Sequence, residues 1–352
     1  MSMQASPFVQ TVLGPIAPAE LGWVLPHEHL VVDWSLALGL EHRAIEAASA
    51  VERILSCLRS ATDTGVGGFI DAGMEVYGPS PTLLMLVARQ TGINLVASSG
   101  IFETDQVPPP VWACPPATPE SVASRFIEVA SFGLHGSGVR PGILKVATSP
   151  RAITEIEETC LRGAAGAQSV TGLGVMTHSR SPSMSERQVD ILEDAGADLG
   201  RVSIGHIGWM SGIEDAQRNR RLARRGVMLA LDCIGSPARS HEEYARIAMD
   251  LIDAGHAAQI LLSHDAVAYV RGVQGVYERE WFLGDFTPLH DRFLPMLSEL
   301  GVDDDAIFQM TVENPRRLLT IDPARFPGAI ETLGRPVVDE CLDWIVPHTA
   351  PS

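Results

Sequence analysis

Residues 23–30, WVLPHEHL, form a short apolar run that closes on two histidines one residue apart. A run of that length, flanked by turn residues, predicts a strand buried on both faces. Seven more such runs follow, at 67–72 (GGFIDA), 93–99 (INLVASS), 142–148 (GILKVAT), 172–178 (GLGVMTH), 202–207 (VSIGHI), 226–232 (GVMLALD) and 259–265 (QILLSHD). Each gap between them holds at least one amphipathic helical stretch. Buried strands alternating with helices build a parallel sheet, and eight units predict an α/β fold, the closed (β/α)8 TIM barrel. The rival is an open doubly wound sheet, which needs a glycine-rich phosphate turn after its first strand. PHEHLVVD offers none.

The chain has 352 residues, 45% hydrophobic and 20% charged, a globular composition with enough apolar surface for a large core. Residues 1–329 are expected to form one barrel and 330–352 a C-terminal extension. Lys plus Arg number 26 against 43 Asp plus Glu, a net charge of −17, and such a surface argues against nucleic-acid partners. Five cysteines (Cys57, Cys114, Cys160, Cys233, Cys341) show no CxxC spacing, so neither a disulfide framework nor a cysteine-based zinc site is expected. The N-terminus has no signal-peptide pattern, and no apolar run reaches the roughly 18–20 residues of a membrane span. These features predict a cytoplasmic protein acting on a small molecule, with no membrane association.

Helix 213–225 opens on Glu214 and Asp215, carries Arg220, Arg221, Arg224 and Arg225 toward its end, and stops at Gly226. That order complements the helix dipole and predicts a solvated outer helix rather than an anion site. Two connections are long. Residues 103–119 follow the third strand and are rich in proline; residues 266–288 follow the eighth and hold Tyr269, Tyr277, Trp281, Phe282 and Phe286. Both leave the C-terminal ends of strands, where barrel enzymes build their sites, so their aromatics are expected to wall a substrate pocket.

The chain contains 25 arginines and one lysine, Lys145. Arginine substitutes for lysine on most surfaces but is never deprotonated and cannot serve as a nucleophile. Lys145 lies inside GILKVAT, where an ammonium would be desolvated and its pKa depressed. It is therefore a buried ion pair, a Schiff-base amine, or an amine converted by CO2 to a carbamate. His27 and His29, two apart on a strand, face the same side. His178, His206 and Asp265 end the fifth, sixth and eighth strands. Six groups thus converge on one barrel mouth, and imidazole with carboxylate suits Zn²⁺, Mn²⁺, Fe²⁺ or Co²⁺.

These residues identify a resemblance. LGWVLPHEHL, GILKVAT, the histidines of MTHSR and IGHIG, SHDA and ENPRRLL are similar to the phosphotriesterase family of the amidohydrolase superfamily, from TVLGPI at 11–16 to residue 319. The resemblance implies a binuclear hydrolase. His27, His29 and Asp265 would bind the more buried metal, His178 and His206 the more exposed one, with carboxylated Lys145 and a hydroxide bridging them. Asp265 would accept the proton. It also implies a homodimer. Family lactonases carry a tyrosine where this chain has Phe102 and an arginine where it has Cys233, and Gly78-Pro79-Ser80 replaces Gly-Arg-Asp. Phe102, Cys233, Trp281 and Phe282 are the expected substrate-pocket residues. The expected reaction is cleavage of a carboxylic ester or lactone, with N-acyl amides and phosphotriesters as alternatives. A Schiff-base aldolase acting through Lys145 explains the lysine but not the histidines, and a metal-bearing binding protein without turnover is the third class.

Overall fold

A computed structural model describes residues 6–35, 48–74, 77–210, 212–271 and 284–333. Eight barrel strands follow in chain order after a short hairpin of β1 (Val9–Thr11) and β2 (Gly14–Ile16). They are β3 (Trp23–Asp33), β4 (Val66–Asp71), β5 (Asn94–Gly100), β6 (Ile143–Thr148), β7 (Gly174–Ser179), β8 (Val202–Ile204), β9 (Met228–Leu231) and an eighth in two pieces, β10 (Ile260–Leu262) and β11 (Val267–Arg271). All neighbours pair in parallel, β3 through β10 in sequence, and β11 pairs with β3. The break between β10 and β11 is where the sheet closes. Asp265 N donates to His27 O at 3.0 Å and His29 N to Ala266 O at 2.8 Å.

The helices lie between successive strands. They are α1 (Ala48–Asp63), α2 (Pro81–Thr91), α3 (Pro119–Phe132), α4 (Glu155–Thr171), α5 (Pro182–Asp194), α6 (Ile207–Met210), α7 (Ala216–Arg224) and α8 (His241–Asp253). Local signals set their ends: α4 starts at Thr154 with a capping box closed by Glu157, and ends at Gly172 with φ +71°, a conformation that costs glycine little. The expected helix at 213–225 is a 3-10 turn, Ile213–Asp215, running into α7. Its arginines meet acids of the flanking helices, Arg221 with Glu186 and Arg225 with Asp190 of α5, and Arg220 with Asp250 of α8. This is a solvated outer helix.

The closure is held by one buried carboxylate. Glu28 is fully buried; its Oε1 accepts from Ser263 Oγ, His264 N and His264 Nδ1 at 2.7–2.9 Å, and its Oε2 from Ala266 N at 2.8 Å. Glu28→Ala would strand these donors without an acceptor. A destabilisation of about 3–5 kcal/mol is expected in urea unfolding; a loss below about 1 kcal/mol would show that the donors find other partners.

Several expectations for the loops are corrected. Residues 267–271, read as part of a long connection, continue the eighth strand, because residues 263–266 step over the seam and rejoin β3. Phe286 does not wall a pocket; it is buried edge-to-face on Phe69, with ring centres 4.9 Å apart. Tyr269 belongs to β11 and packs on the main core. In the proline-rich connection, Trp112 packs on Phe126 of α3. Tyr277, Trp281 and Phe282 lie outside the described residues, as do 334–352 of the expected extension. Helix Ala329–Thr332 spans the expected boundary at 329/330. No helix among the described residues is long and apolar enough to cross a membrane.

Candidate metal centre

Three strands end in the same unusual way. His206, Cys233 and Asp265, just beyond β8, β9 and β10, have φ of 62°, 63° and 51°. Left-handed backbone costs a residue with a Cβ about 1–2 kcal/mol, and such strain collects at functional sites. These strands accordingly stop short of the sequence expectation, since a residue at positive φ leaves the ladder. One donor atom from each of these three side chains lies within 4.8 Å of the others, as do those of His27, His29 and Asp265.

The six expected ligands form one continuous cluster. Lys145 Nζ, on a residue 1% exposed, is 3.1 Å from His27 Nε2. Asp265 Oδ1 lies 3.6 Å from His27 Nε2 and 3.2 Å from His29 Nε2. His206 Nε2 faces His178 Nδ1 at 2.5 Å.

The outer nitrogens explain why the inner ones face each other. His27 Nδ1 and His206 Nδ1 both reach Asp232, at 2.9 and 3.1 Å, and His178 Nε2 reaches Glu103 Oε1 at 2.8 Å. An ionised carboxylate only accepts, so each outer nitrogen carries the proton and each inner nitrogen a lone pair. Two lone pairs this close repel each other, and a shared cation, with the nitrogens moved apart to reach it, would remove that repulsion. The donor chemistry fits a divalent metal.

Electrostatics agree at two of the three. Burial pushes His27 down to about 4 and is the main cause that holds His178 well below its usual range, so both stay neutral and able to ligate. At His206 burial is outweighed by Asp232 and Asp265, which raise the pKa, so a metal there would displace a proton from Nε2. Burial opposes ionisation of Asp265, but the facing imidazoles of His27, His29 and His206 prevail and keep it a carboxylate. Lys145 is pulled from 10.5 to about 8 by burial, against the attraction of Asp265, Asp232 and Asp71. A neutral amine is the form that reacts with CO2 or a carbonyl, and this shift makes it accessible near neutral pH.

Of the expected pocket residues, Phe102 stands beside the cluster, 4.8 Å ring-to-ring from His178, and packs with Tyr77 and Trp34. Cys233 is buried under the mouth with Sγ 3.5 Å from Asp265 Oδ2. The sequence reading does not single out Asp232, Glu103, Tyr77 or Trp34. Asp232 had a signal, since it closes LALD as Asp265 closes LLSHD. Glu103 had none, because its meaning depends on two residues of another strand.

A closed barrel with imidazoles, a buried lysine and an aspartate gathered at its C-terminal mouth is the architecture of amidohydrolase-type metal hydrolases. The chain belongs to the phosphotriesterase family, whose sequence profile matches residues 7–319. It is 29% identical to a phosphotriesterase homology protein of Mycobacterium tuberculosis, covering 89% of this chain and 97% of the relative. An aryldialkylphosphatase of Saccharolobus solfataricus is 26% identical over 87% of this chain and 97% of its own length. Among solved structures, the organophosphorus hydrolase from Deinococcus radiodurans superposes with a TM-score of 0.78 at 28% identity, covering 90% of this chain and all of that one. Relatives also include an N-acetyltaurine hydrolase of Danio rerio, 24% identical over 89% of this chain and 97% of its own, and a phospho-furanose lactonase of Mycoplasmopsis synoviae, 25% identical over 90% and 93%. The family is one of hydrolases with a binuclear divalent metal site, and its reactions span several bond types.

Proposed function

We propose that this hydrolase cleaves a carboxylic ester or lactone whose acyl or leaving group is apolar. The observation that carries the reading is the convergence of six donors around lone-pair-bearing imidazole nitrogens. His27, His29 and Asp265 would hold one divalent ion, Zn²⁺ by the donor set, and His178 and His206 the other. Lys145, carboxylated by CO2, would ligate both. Bound there, the ions would supply Lewis acidity and an activated water.

The protein's own groups do the rest. Asp232 fixes the tautomers of His27 and His206. Asp265 is the proton acceptor, with Cys233 Sγ against its Oδ2. Phe102, Tyr77 and Trp34 form an aromatic wall that excludes water and receives the apolar part of the substrate. The nearby cations are paired, Arg180 with Glu103 and Asp105, and Arg271 with Asp33, which supports a neutral substrate over a phosphomonoester. An N-acyl amide is the second reading, supported by the relative named for that activity.

Metal analysis is expected to give about two cations per chain, and chelation to abolish turnover. Rates on metal-loaded protein should run highest for lactones or aryl esters, above N-acyl amines and phosphotriesters. An active metal-free enzyme, or a borohydride-trapped carbonyl adduct on Lys145, would move the function to imine chemistry.

A further inference from the structure

Glu103, on the connection that leaves β5, is 0% exposed, as deeply buried as Asp232. It makes no contact with the cluster's centre. Its Oε1 accepts from His178 Nε2 at 2.8 Å, and Arg180 grips both oxygens, Nε at 3.1 and 2.9 Å and Nη2 at 2.7 Å. Gln106 Nε2 adds a bond to Oε2 at 3.0 Å. A buried carboxylate is retained only if its charge is compensated and its lone pairs are filled. Here both conditions hold.

The backbone beneath it is tied by hydrogen bonds. Gln106 N and Val107 N donate to Glu103 O at 3.2 and 3.0 Å. The next residue, Thr104, bonds through N and Oγ1, both at 2.9 Å, to Glu157 Oε1. Glu157 is itself fully buried in the capping box of α4 and accepts Ser149 Oγ at 2.6 Å. Phe102, immediately before Glu103, lies against the His178 ring. His178 is therefore flanked by the ring of one residue and held at its outer nitrogen by the next, and both come from a different strand connection than its own.

The geometry points to Glu103, clamped by Arg180, as a positioning residue that orients His178 and fixes its tautomer for the metal it shares with His206. An acceptor-only partner at Nε2 makes Nδ1 the ligating nitrogen and raises its basicity, the arrangement by which outer carboxylates tune histidine ligands. The inference rests on the metal reading above, and it assigns the Glu103–Arg180 pair to one ion of the two. In Glu103→Gln the amide would set an N–H₂ donor against either His178 or Arg180, both of which donate.

The test is a chelator-competition titration with Zn²⁺ on wild-type protein, Glu103→Gln and Arg180→Met, together with melting of each metal-free form. The wild type decides the metal reading, because only a protein that takes up two ions supports it. In Glu103→Gln one of the two ions is expected to bind about 10–100-fold more weakly while the other is unchanged. The metal-free melting point is expected to fall, because the amide leaves Arg180 or His178 without its acceptor, so the selective weakening of one ion, and not stability, is the readout that a merely structural role would not give. Arg180→Met keeps the aliphatic stem at a side chain 34% exposed, where water can replace part of the lost pairing to Glu103, and it serves as the second variant if the first does not fold. It is expected to weaken the same ion by a smaller factor. Wild-type affinity for both ions in the folded variants, or equal weakening of both, would overturn the assignment.

Discussion

Lys145→Arg is expected to abolish hydrolysis, by on the order of 10³-fold or more in kcat/KM, while the barrel still folds. The magnitude follows from the several kcal/mol that a Lewis acid contributes to such a reaction, at tenfold per about 1.4 kcal/mol. Arginine keeps a positive charge at the barrel axis but cannot form a carbamate, so the ligand that would join the two ions is lost. Elemental analysis should find fewer than two metals per chain. Lys145 is 1% exposed and flanked by Leu144 and Val146, so the larger guanidinium is also crowded. Lys145→Met, close in length and free of charge, separates the two effects. It should restore packing without restoring activity. A variant within tenfold of wild-type activity would show that the lysine carries no bridging role.

Asp265→Asn should lose about 10²–10⁴-fold in kcat, the range associated with removing a positioned acid or base, with little change in fold. The amide cannot accept the proton, and it puts a donor either on the side facing His27 and His29 or on the side facing Cys233. The effect should be in kcat more than KM, because the apolar wall of Phe102, Tyr77 and Trp34 is untouched. An unchanged kcat would transfer the proton-accepting role elsewhere, with Asp232, ionised by its two histidines, next in line.

The barrel was readable because burial on both faces leaves a local mark. An apolar run between turn residues means the same thing whatever lies opposite, so eight such runs announced eight strands. Even there, the strand ends were set by tertiary demands. His206, Cys233 and Asp265 turn into left-handed backbone to aim their side chains inward, which shortens the strands before them, and no propensity encodes that. The second half of the eighth strand was hidden for a related reason. Residues 263–266 look like a loop until β3 is beside them, when Ser263, His264 and Ala266 become the donors that Glu28 accepts across 235 to 238 residues of chain.

What the sequence by itself determined was the set of chemical groups and the strand ends that carry them: two histidines two apart, a single lysine in an apolar run, and two histidines and an aspartate at later strand ends. What only the tertiary structure decided was which nitrogen of His27, His178 and His206 faces inward. That choice belongs to the partners at the far side of the ring, Asp232 from β9's end and Glu103 from the connection after β5. The physical reason is that a ligand's identity is a property of one residue. Its tautomer, orientation and charge are properties of its hydrogen-bonding neighbours, which the fold brings from distant parts of the chain.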